Sequence, residues 1–297
     1  MDKLFVQQLM NGTTMKSIVE EYCAGSYKKA GELLKSHFDE GFNINSEVYD
    51  NGEMNYYLAA GINREHEIKV TGNEVRTLII SDLHIGQIND GSMYLSRIYN
   101  YAKGHNIHII FMVGDLFQGV YPEDQNKYTI LERQVNGFLN RYPFDSSIVN
   151  YMLLGNHDLI TQQAIGFDYN KLINCRPDII NLGYGLGKIK LGNDLLAFSH
   201  DLVIVQQPER DYNVKYIFKG HSHKFEIVGN VITVPALLRS NFYDDITSVG
   251  FLEADFYLDE KQNINLCKLK HFDLGLDTKP INEIYVSDKN IKIKKKI

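Results

Sequence analysis

Five apolar segments of strand length each end next to residues that bind metal ions or transfer protons. The segments are Glu74–Ile80, Asn106–Val113, Ser147–Leu154, Leu195–Ser199 and Val214–Gly220. The polar residues that follow them are Asp82, His84, Asp115, Asn156, His157, Asp158, His200, His221 and His223. In open α/β sheets, ligands bind beyond the carboxyl ends of the strands. The pattern therefore predicts one functional site along one edge of a sheet.

The spacing of the segments predicts an α/β fold. Two helix-like segments, Ser92–Lys103 and Gln125–Arg141, separate the first three strands, which indicates right-handed crossovers and a buried sheet. The later strands follow one another closely and predict a second, mostly antiparallel sheet. They are Leu195–Ser199, Val214–Gly220, Asn230–Ala236, Val249–Tyr257 and Asn263–His271.

The chain is predicted to contain three regions: a helical head at 1–70, a main domain at 74–275 and a C-terminal extension at 276–297 with a basic tail. Two predicted helices in the head, Met15–Cys23 and Tyr27–Phe38, resemble a helix-turn-helix. They carry four lysines and three glutamates, which is less basic than usual for a DNA-reading element. Two interpretations stay open: a helical hairpin that packs on the main domain or a partner, and a DNA-binding element.

The composition narrows the class of protein. The chain of 297 residues is long enough for a large packed domain. No apolar run approaches the roughly 20 residues that a membrane helix needs, and the N-terminus lacks the features of a secretory signal. The three cysteines, Cys23, Cys175 and Cys267, are too distant from one another to suggest disulfides or a thiolate zinc site. A cytoplasmic location is therefore predicted.

The residue types at the strand ends are those of a metal centre. In extended backbone, alternate side chains point the same way, so Asp82 and His84 are expected to meet one ion. The donors are carboxylates, imidazoles and one amide without a thiolate, which favours Mn²⁺, with Fe and Zn²⁺ as alternatives. The predicted ligands are Asp82, His84, Asp115, Asn156, His200, His221 and His223. Seven ligands exceed the need of one ion, so two divalent ions with a bridging carboxylate are predicted.

The other five histidines follow no such pattern. We interpret them as surface or core residues; they are His37, His66, His105, His108 and His271.

The motifs SDLHIG, GDLF, GNHD, SHD and GHSH, in this order, resemble those of the calcineurin-like metallophosphoesterases. The resemblance covers Arg76–Phe225, with a continuation to about residue 275. It implies a four-layer α/β/β/α sandwich with metals at the sheet ends. It also implies one metal held by Asp82, His84, Asp115 and His223, and a second held by Asp115, Asn156, His200 and His221. Asp115 would then be the bridge.

The resemblance also places His157 facing the substrate, where it would protonate the leaving group. Asp158 would either orient His157 or cap the helix that follows, and both roles stay open. Two positions depart from the family pattern. Asp201 stands where the family often has glycine, and Val234–Arg239 lacks the Gly and Ser of a Pro-Gly-Ser turn, so no phosphate contact is assigned there.

The substrate class is less defined by the sequence. SDLHIG and GDLF are similar to the motifs of DNA-repair nucleases and of lipid A precursor pyrophosphatases, and the extra arginines of the phosphoprotein phosphatases are missing. The head and the tail lysines favour a phosphodiesterase that acts on nucleic acid, whereas the net charge of −6 counts against DNA binding. A small-molecule or cyclic-nucleotide phosphoesterase and a non-catalytic scaffold of the same fold are the alternatives.

Overall fold

The computed structural model describes residues 4–5, 8–9, 12–39, 44–48, 54–58, 65–68, 70, 72–176, 178–200, 214–238, 249–274, 280–287 and 290–295. The chain divides into two compact units, Met1–Asn63 and Arg64–Ile297. The domain boundaries expected from the sequence stay a prediction.

In the described part of the first unit, two helices and three short strands have defined bounds, and residues 4–5 and 8–9 are also helical. The elements are β1 (Thr13–Thr14), α1 (Met15–Tyr22), α2 (Tyr27–Asp39), β2 (Ile44–Val48) and β3 (Met54–Leu58). Both helices were predicted, and the Thr14 hydroxyl caps the first by accepting a hydrogen bond from the Ser17 amide at 3.1 Å. The antiparallel sheet, in the order β1-β3-β2, was not predicted. It makes this unit mixed rather than purely helical.

The second unit contains the remaining strands and helices. Its strands are β4 (Glu65–Ile68), β5 (Glu74–Ile80), β6 (Ile109–Val113), β7 (Val149–Leu154), β8 (Ile179–Tyr184), β9 (Leu186–Leu191), β10 (Asp194–Ser199), β11 (Tyr216–Lys219), β12 (Glu226–Val228), β13 (Val231–Thr233), β14 (Gly250–Leu258), β15 (Ile264–Asp273), β16 (Pro280–Ser287) and β17 (Asn290–Lys295). Its helices are α3 (Leu95–Gly104), α4 (Lys127–Arg141), α5 (Asn156–Ile165) and α6 (Tyr169–Ile173), and a 3-10 turn spans Gly91–Tyr94.

An eight-stranded sheet with the order β17-β16-β15-β14-β5-β6-β7-β8 forms the centre of this unit. Strands β5 to β8 run parallel, as the crossover helices require, while β14 pairs antiparallel with β5. The C-terminal extension belongs to this sheet, because β16 pairs with β15 and β17 pairs with β16. Three of the tail lysines, Lys292, Lys294 and Lys295, therefore lie in a strand.

A six-stranded sheet with the order β12-β13-β11-β10-β9-β4 forms the second layer. It is mixed, with three parallel and two antiparallel pairs, so the prediction of a mostly antiparallel second sheet was wrong. The two long strands expected in it, β14 and β15, belong to the larger sheet instead. The reason is backbone pairing: β14 forms hydrogen bonds with β5 on one edge and with β15 on the other.

Two apolar layers hold the architecture together. Side chains such as Ile79, Phe111 and Val113 from the large sheet pack with Phe198 and Phe218 from the smaller one. On the other face of the large sheet, a second cluster includes residues from strands β5 to β7 and helices α3, α4 and α6. The predicted class, two stacked sheets with helices outside, is thus confirmed. None of the helices in the described part of the chain is long and apolar enough to cross a membrane.

His271 on β15 is buried in this fold without a hydrogen-bond partner in the described part of the chain. Its side chain is 3% exposed, and its ring lies 4.3 Å from the ring of Phe225. Burial lowers the pKa of His271 to about 4, which the charge of Asp273 opposes. An unfolded histidine titrates near pH ~6.5. The folded state therefore disfavours the charged ring.

The free energy of unfolding is expected to depend on this histidine in acid. Below about pH 6.5 the unfolded state binds a proton at His271, whereas the folded state binds one only near pH 4. The free energy of unfolding should therefore fall by up to roughly 3 kcal/mol as the pH falls from 6.5 toward 4. His271→Leu should flatten that decline in urea unfolding measured between pH 8 and pH 5. His108→Gln, at an exposed histidine, is the control. An unchanged pH dependence in His271→Leu would contradict this assignment.

Candidate metal centre

The site lies where the carboxyl ends of strands from both sheets meet. Asp82 and His84 follow β5, Asp115 follows β6, and Asn156 and His157 begin α5 directly after β7. From the smaller sheet, His200 follows β10, and His221 and His223 follow β11. Backbone hydrogen bonds tie the loops together, with the Asp82 amide donating to Gly114 and the His84 amide donating to Asp115, both at 3.0 Å.

The backbone at five of these positions is left-handed. The φ angles are 55° at Asp82, 49° at His84, 53° at Asp115, 74° at His221 and 55° at His223. Non-glycine residues seldom adopt this conformation, and clusters of it occur at functional sites. The sequence argument assumed extended backbone for Asp82 and His84, and that assumption was wrong. Their side chains converge because both residues turn sharply after the strand.

Close approach of the loops requires glycine at two positions around His200. A Cβ atom at Gly155 would lie 2.3 Å from Asp115 Oδ1 and 2.5 Å from His200 Cδ2. A Cβ atom at Gly114 would lie 2.1 Å from two atoms of the His200 ring, at a φ of +83°. Any larger residue would push His200 or Asp115 away. The glycines in GD and GNHD therefore allow the side chains to pack closely.

Three imidazoles surround the Asp82 carboxylate. Asp82 Oδ1 lies 3.2 Å from His223 Nε2, 3.7 Å from His200 Nε2 and 3.8 Å from His84 Nε2. Its other oxygen accepts hydrogen bonds from the Ser81 hydroxyl at 2.5 Å and from the His221 amide at 3.2 Å. Thus one oxygen is held by the protein, while the other faces the imidazole nitrogens.

Asp115 lies between two groups of histidines. Its Oδ2 is 2.9 Å from His200 Nε2, 3.8 Å from His84 Nε2 and 3.9 Å from His157 Nε2. Its Oδ1 accepts a hydrogen bond from the His157 amide at 2.9 Å. On the outer side, His221 Nδ1 lies 3.1 Å from the amide oxygen of Asn156. All seven predicted ligands are thus brought to one place.

Electrostatics shows that the buried carboxylates need positive charge beside them. Burial would raise the pKa of Asp82, but the imidazoles of His200, His223 and His84 hold it well below its usual range. Burial would lower the pKa of His200, but Asp115 and Asp82 raise it to about 10. Protons on the histidines or divalent cations can supply that charge.

The donor arrangement fits metal ions. Among the described residues, three compact groups of donors occur: Asp82 with His84 and His223, Asp115 with His200 and His221, and His84 with Asp115 and His157. Donors about 2.1 Å from one ion lie roughly 3.0–3.4 Å apart, close to the 3.2 Å and 2.9 Å found for His223–Asp82 and His200–Asp115. Both ring nitrogens of His84, which is 2% exposed, lack a hydrogen-bond partner in the described part of the chain.

His157 lies beside the donors, with its side chain 25% exposed. Its Nδ1 is 2.9 Å from the Gln118 carbonyl oxygen and 2.7 Å from the Tyr121 hydroxyl. A carbonyl only accepts, so the Gln118 contact places a proton on Nδ1 and leaves Nε2 on the side of Asp115. Burial lowers the pKa of His157 and Asp115 opposes this.

Asp158 is completely buried and binds backbone amides. Its carboxylate accepts hydrogen bonds from Gly155 at 2.7 Å, Phe117 at 2.7 Å and Leu116 at 3.1 Å. Burial and the charge of Asp115 raise the pKa of Asp158 to about 7, although these amides oppose the shift. Asp158 is not the N-cap residue itself: it is the third residue of α5, and its carboxylate accepts from the amide of the N-cap residue Gly155. Its role stays a prediction.

Several supporting residues were not predicted from the sequence. They are Ser81, Gln118, Tyr121, Gln134 and Thr161, which hold site residues or the loop after β6. Gln134 and Thr161 lie on helices, where isolated polar residues carry no recognisable pattern. Of the other five histidines, His105 and His108 are exposed and His271 is buried. Asp201, Arg239 and the side chain of His37 lie outside the described residues.

Two stacked sheets that bring a set of Asp, His and Asn donors to their common edge define a phosphoesterase-type metal centre. A sequence profile described as calcineurin-like phosphoesterase matches residues 75–225. The chain belongs to this family, whose members typically bind two divalent metal ions. A search of the curated proteins finds no match.

The solved structures that are similar to this chain share little sequence with it. A predicted phosphoesterase from Streptococcus pneumoniae TIGR4 is 12% identical with a TM-score of 0.41, and the alignment covers 73% of this chain and 99% of that one. An archaeal phosphodiesterase is 14% identical, with a TM-score of 0.39 and coverage of 67% and 100%. The nuclease MPE of Pseudomonas putida is 14% identical, with a TM-score of 0.33 and coverage of 72% and 96%.

Proposed function

We propose that this protein is a phosphodiesterase that uses two divalent metal ions, with Mn²⁺ favoured, and that its substrate is nucleic acid. The observation that carries the hydrolase part is the position of Asp115 between two groups of donors, with Oδ2 2.9 Å from His200 and 3.8 Å from His84. A non-catalytic scaffold has no need for this set of seven donors, four of which (Asp82, His84, Asp115 and His200) are buried.

Each side chain has a distinct role in the proposed reaction. Asp82, His84, Asp115 and His223 would hold one ion, and Asp115, Asn156, His200 and His221 the other. When bound, such ions lower the pKa of water and offset the charge that develops on phosphoryl oxygens. The protein holds the donors in place before binding, through the Ser81 hydroxyl on Asp82 and the Val113 carbonyl, 2.7 Å from His200 Nδ1.

His157 would act as the general acid. As a water oxygen forms its bond to phosphorus, the P–O bond to the leaving group breaks and its electron pair stays on the leaving oxygen. That oxygen takes the proton from Nε2 of the protonated ring, while the proton of the attacking water passes to the solvent. The neutral ring keeps the proton on Nδ1, which donates a hydrogen bond to the Gln118 carbonyl 2.9 Å away. Asp158 supports this geometry indirectly by holding the backbone at Leu116 and Phe117.

The nucleic-acid part of the proposal has separate support. The two head helices flank a short turn with Gly25 at a φ of +82°, and the turn of a helix-turn-helix often contains glycine. Lysines are concentrated in β17, although the net charge of −6 opposes binding to a polyanion. A small-molecule or cyclic-nucleotide phosphoesterase is the second candidate, because the metal-binding residues alone do not select between small and large phosphate esters.

The proposal is tested by the hydrolysis of bis-p-nitrophenyl phosphate and p-nitrophenyl phosphate with added Mn²⁺. We expect the diester to be preferred and its turnover to require the metal. Binding to DNA at low salt, lost when residues 1–63 are deleted, would support the nucleic-acid substrate. Diester turnover without DNA affinity would favour the second candidate. Preference for the monoester, or no turnover with any divalent metal, would contradict the proposed activity.

A further inference from the structure

Tyr121 lies in the loop after β6 and contacts the ring of His157, with its hydroxyl nearer to Nδ1 than to Nε2, which is 3.5 Å away. Its hydroxyl is 2.7 Å from His157 Nδ1, and the two rings meet edge to face with centroids 5.7 Å apart. The pKa of Tyr121 is raised to about 12 by burial and by the charges of Asp115, Asp124 and Glu123, so the side chain is a neutral phenol at neutral pH. Because Nδ1 carries the proton that it donates to the Gln118 carbonyl, the phenol oxygen accepts from the same N–H. No motif of the chain points to this residue.

The loop that carries Tyr121 is held by two buried side chains. The Gln134 side chain accepts from the Gly119 amide at 3.1 Å and donates to the Gly119 carbonyl at 2.7 Å. The Thr161 hydroxyl accepts from the Val120 amide at 2.8 Å. Both side chains are at most 1% exposed. The loop therefore cannot shift without breaking buried hydrogen bonds, which is costly.

Close packing joins this loop to the helix of His157. A Cβ atom at Gly119, where φ is +83°, would lie 2.3 Å from the carbonyl oxygen of His157. The Tyr121 amide donates to Asp124 at 2.7 Å, which fixes the start of the tyrosine side chain. Because both partners of the His157 ring, the Gln118 carbonyl and the Tyr121 hydroxyl, lie on this loop, the loop determines the direction in which Nε2 points.

We propose that Tyr121 is a positioning residue that acts through His157, by holding the imidazole so that Nε2 faces the leaving group. This inference rests on the proposed phosphodiesterase activity. In this arrangement the Tyr121 hydroxyl lies nearer to Nδ1, at 2.7 Å, than to the proton-donating Nε2, at 3.5 Å, so its contact holds the ring rather than supplying the proton. Its removal should therefore slow only the step that needs a proton from His157.

A double-mutant cycle with two substrates tests the inference. Wild type, Tyr121→Phe, His157→Gln and the double variant are compared on diphenyl phosphate, whose leaving group needs a proton, and on bis-p-nitrophenyl phosphate, whose leaving group needs it far less. Tyr121→Phe should lower kcat roughly 10-fold on the first substrate, the lower end of the effect of removing an orienting partner. The second substrate should be nearly unaffected. The double variant should be no slower than His157→Gln, because the tyrosine has no other route of action.

The matched control is Tyr128→Phe, at a tyrosine that is 75% exposed on α4. Metal content and thermal stability are measured for every variant. Equal losses on both substrates, or losses that add in the double variant, would overturn the inference and indicate a structural role.

A second measurement does not depend on turnover. Nitrogen-15 NMR of the histidine rings, with the His157 signals assigned from their loss in His157→Gln, reports the surroundings of Nδ1. Tyr121→Phe should shift the Nδ1 resonance of His157 while the other assigned rings stay unchanged, and no shift would overturn the inference. If the wild-type protein lacks diester turnover but Tyr121→Phe still shifts the Nδ1 resonance, the proposed function is refuted and the positioning of His157 stays supported.

Discussion

Asp115→Asn should reduce diester turnover by more than roughly 100-fold, since even residues that only orient metal ligands contribute 10–100-fold. The substitution keeps the shape of the side chain, and its Oδ1 can still accept the hydrogen bond from the His157 amide. What changes is the other branch. The position of Oδ2 loses its negative charge. If the asparagine keeps the hydrogen bond from the His157 amide, its NH₂ group faces the ring nitrogens of His200, His84 and His157 at 2.9–3.9 Å.

Metal content measured by mass spectrometry should fall together with the activity, because Asp115 belongs to two of the three donor groups. Asp259→Asn is a suitable control. That carboxylate accepts hydrogen bonds from the amides of Lys261 and Asn263 in a turn, and an asparagine can do the same. A folded Asp115→Asn protein with full metal content and wild-type turnover would rule out the bridging role.

His157→Gln should separate turnover from metal binding. Loss of a general acid lowers rates by roughly 10²–10⁴-fold, and the effect should be largest for esters with poor leaving groups. Metal content should stay close to that of the wild type, because the remaining donors are unchanged. His157 Nε2 also lies 3.9 Å from Asp115 Oδ2, so it belongs to one of the three donor groups.

The same variant therefore distinguishes a general acid from a ligand. If His157→Gln loses its metal in parallel with its activity, His157 is a ligand and the acid must be sought elsewhere. His105→Gln, at an exposed histidine that bonds to the Tyr101 carbonyl, controls for the general effect of removing an imidazole.

The parallel half of the fold could be predicted because its strands are continuous apolar runs. β5, β6 and β7 are buried on both faces and separated by helices, so composition alone marks their positions. The pairing of β14 with β5 could not be predicted in this way. It joins residues about 180 positions apart, such as Leu252 and Ile79, and nothing local to either strand selects that partner.

The candidate site could likewise be predicted only in part. Its donors follow strands directly, so the strand ends identify them, and the strands bring all seven together. The left-handed backbone at five of them could not be predicted, because only a few per cent of non-glycine residues adopt that conformation. Tyr121 and Gln134 were also missed, since their roles come from the path of one loop across two helices.

The hairpin of β16 and β17 determines where this protein can be shortened. Ile284 and Val286 on β16 are 2% exposed and pack between the two sheets, and the Tyr216 hydroxyl donates to the Val286 carbonyl at 2.9 Å. A chain cut at residue 275, where the family resemblance fades, would expose the whole unpaired edge of β15. Such an edge recruits strands from other molecules. Strands β16 and β17 thus cover that edge of the large sheet, and a shortened version of the domain has to retain them.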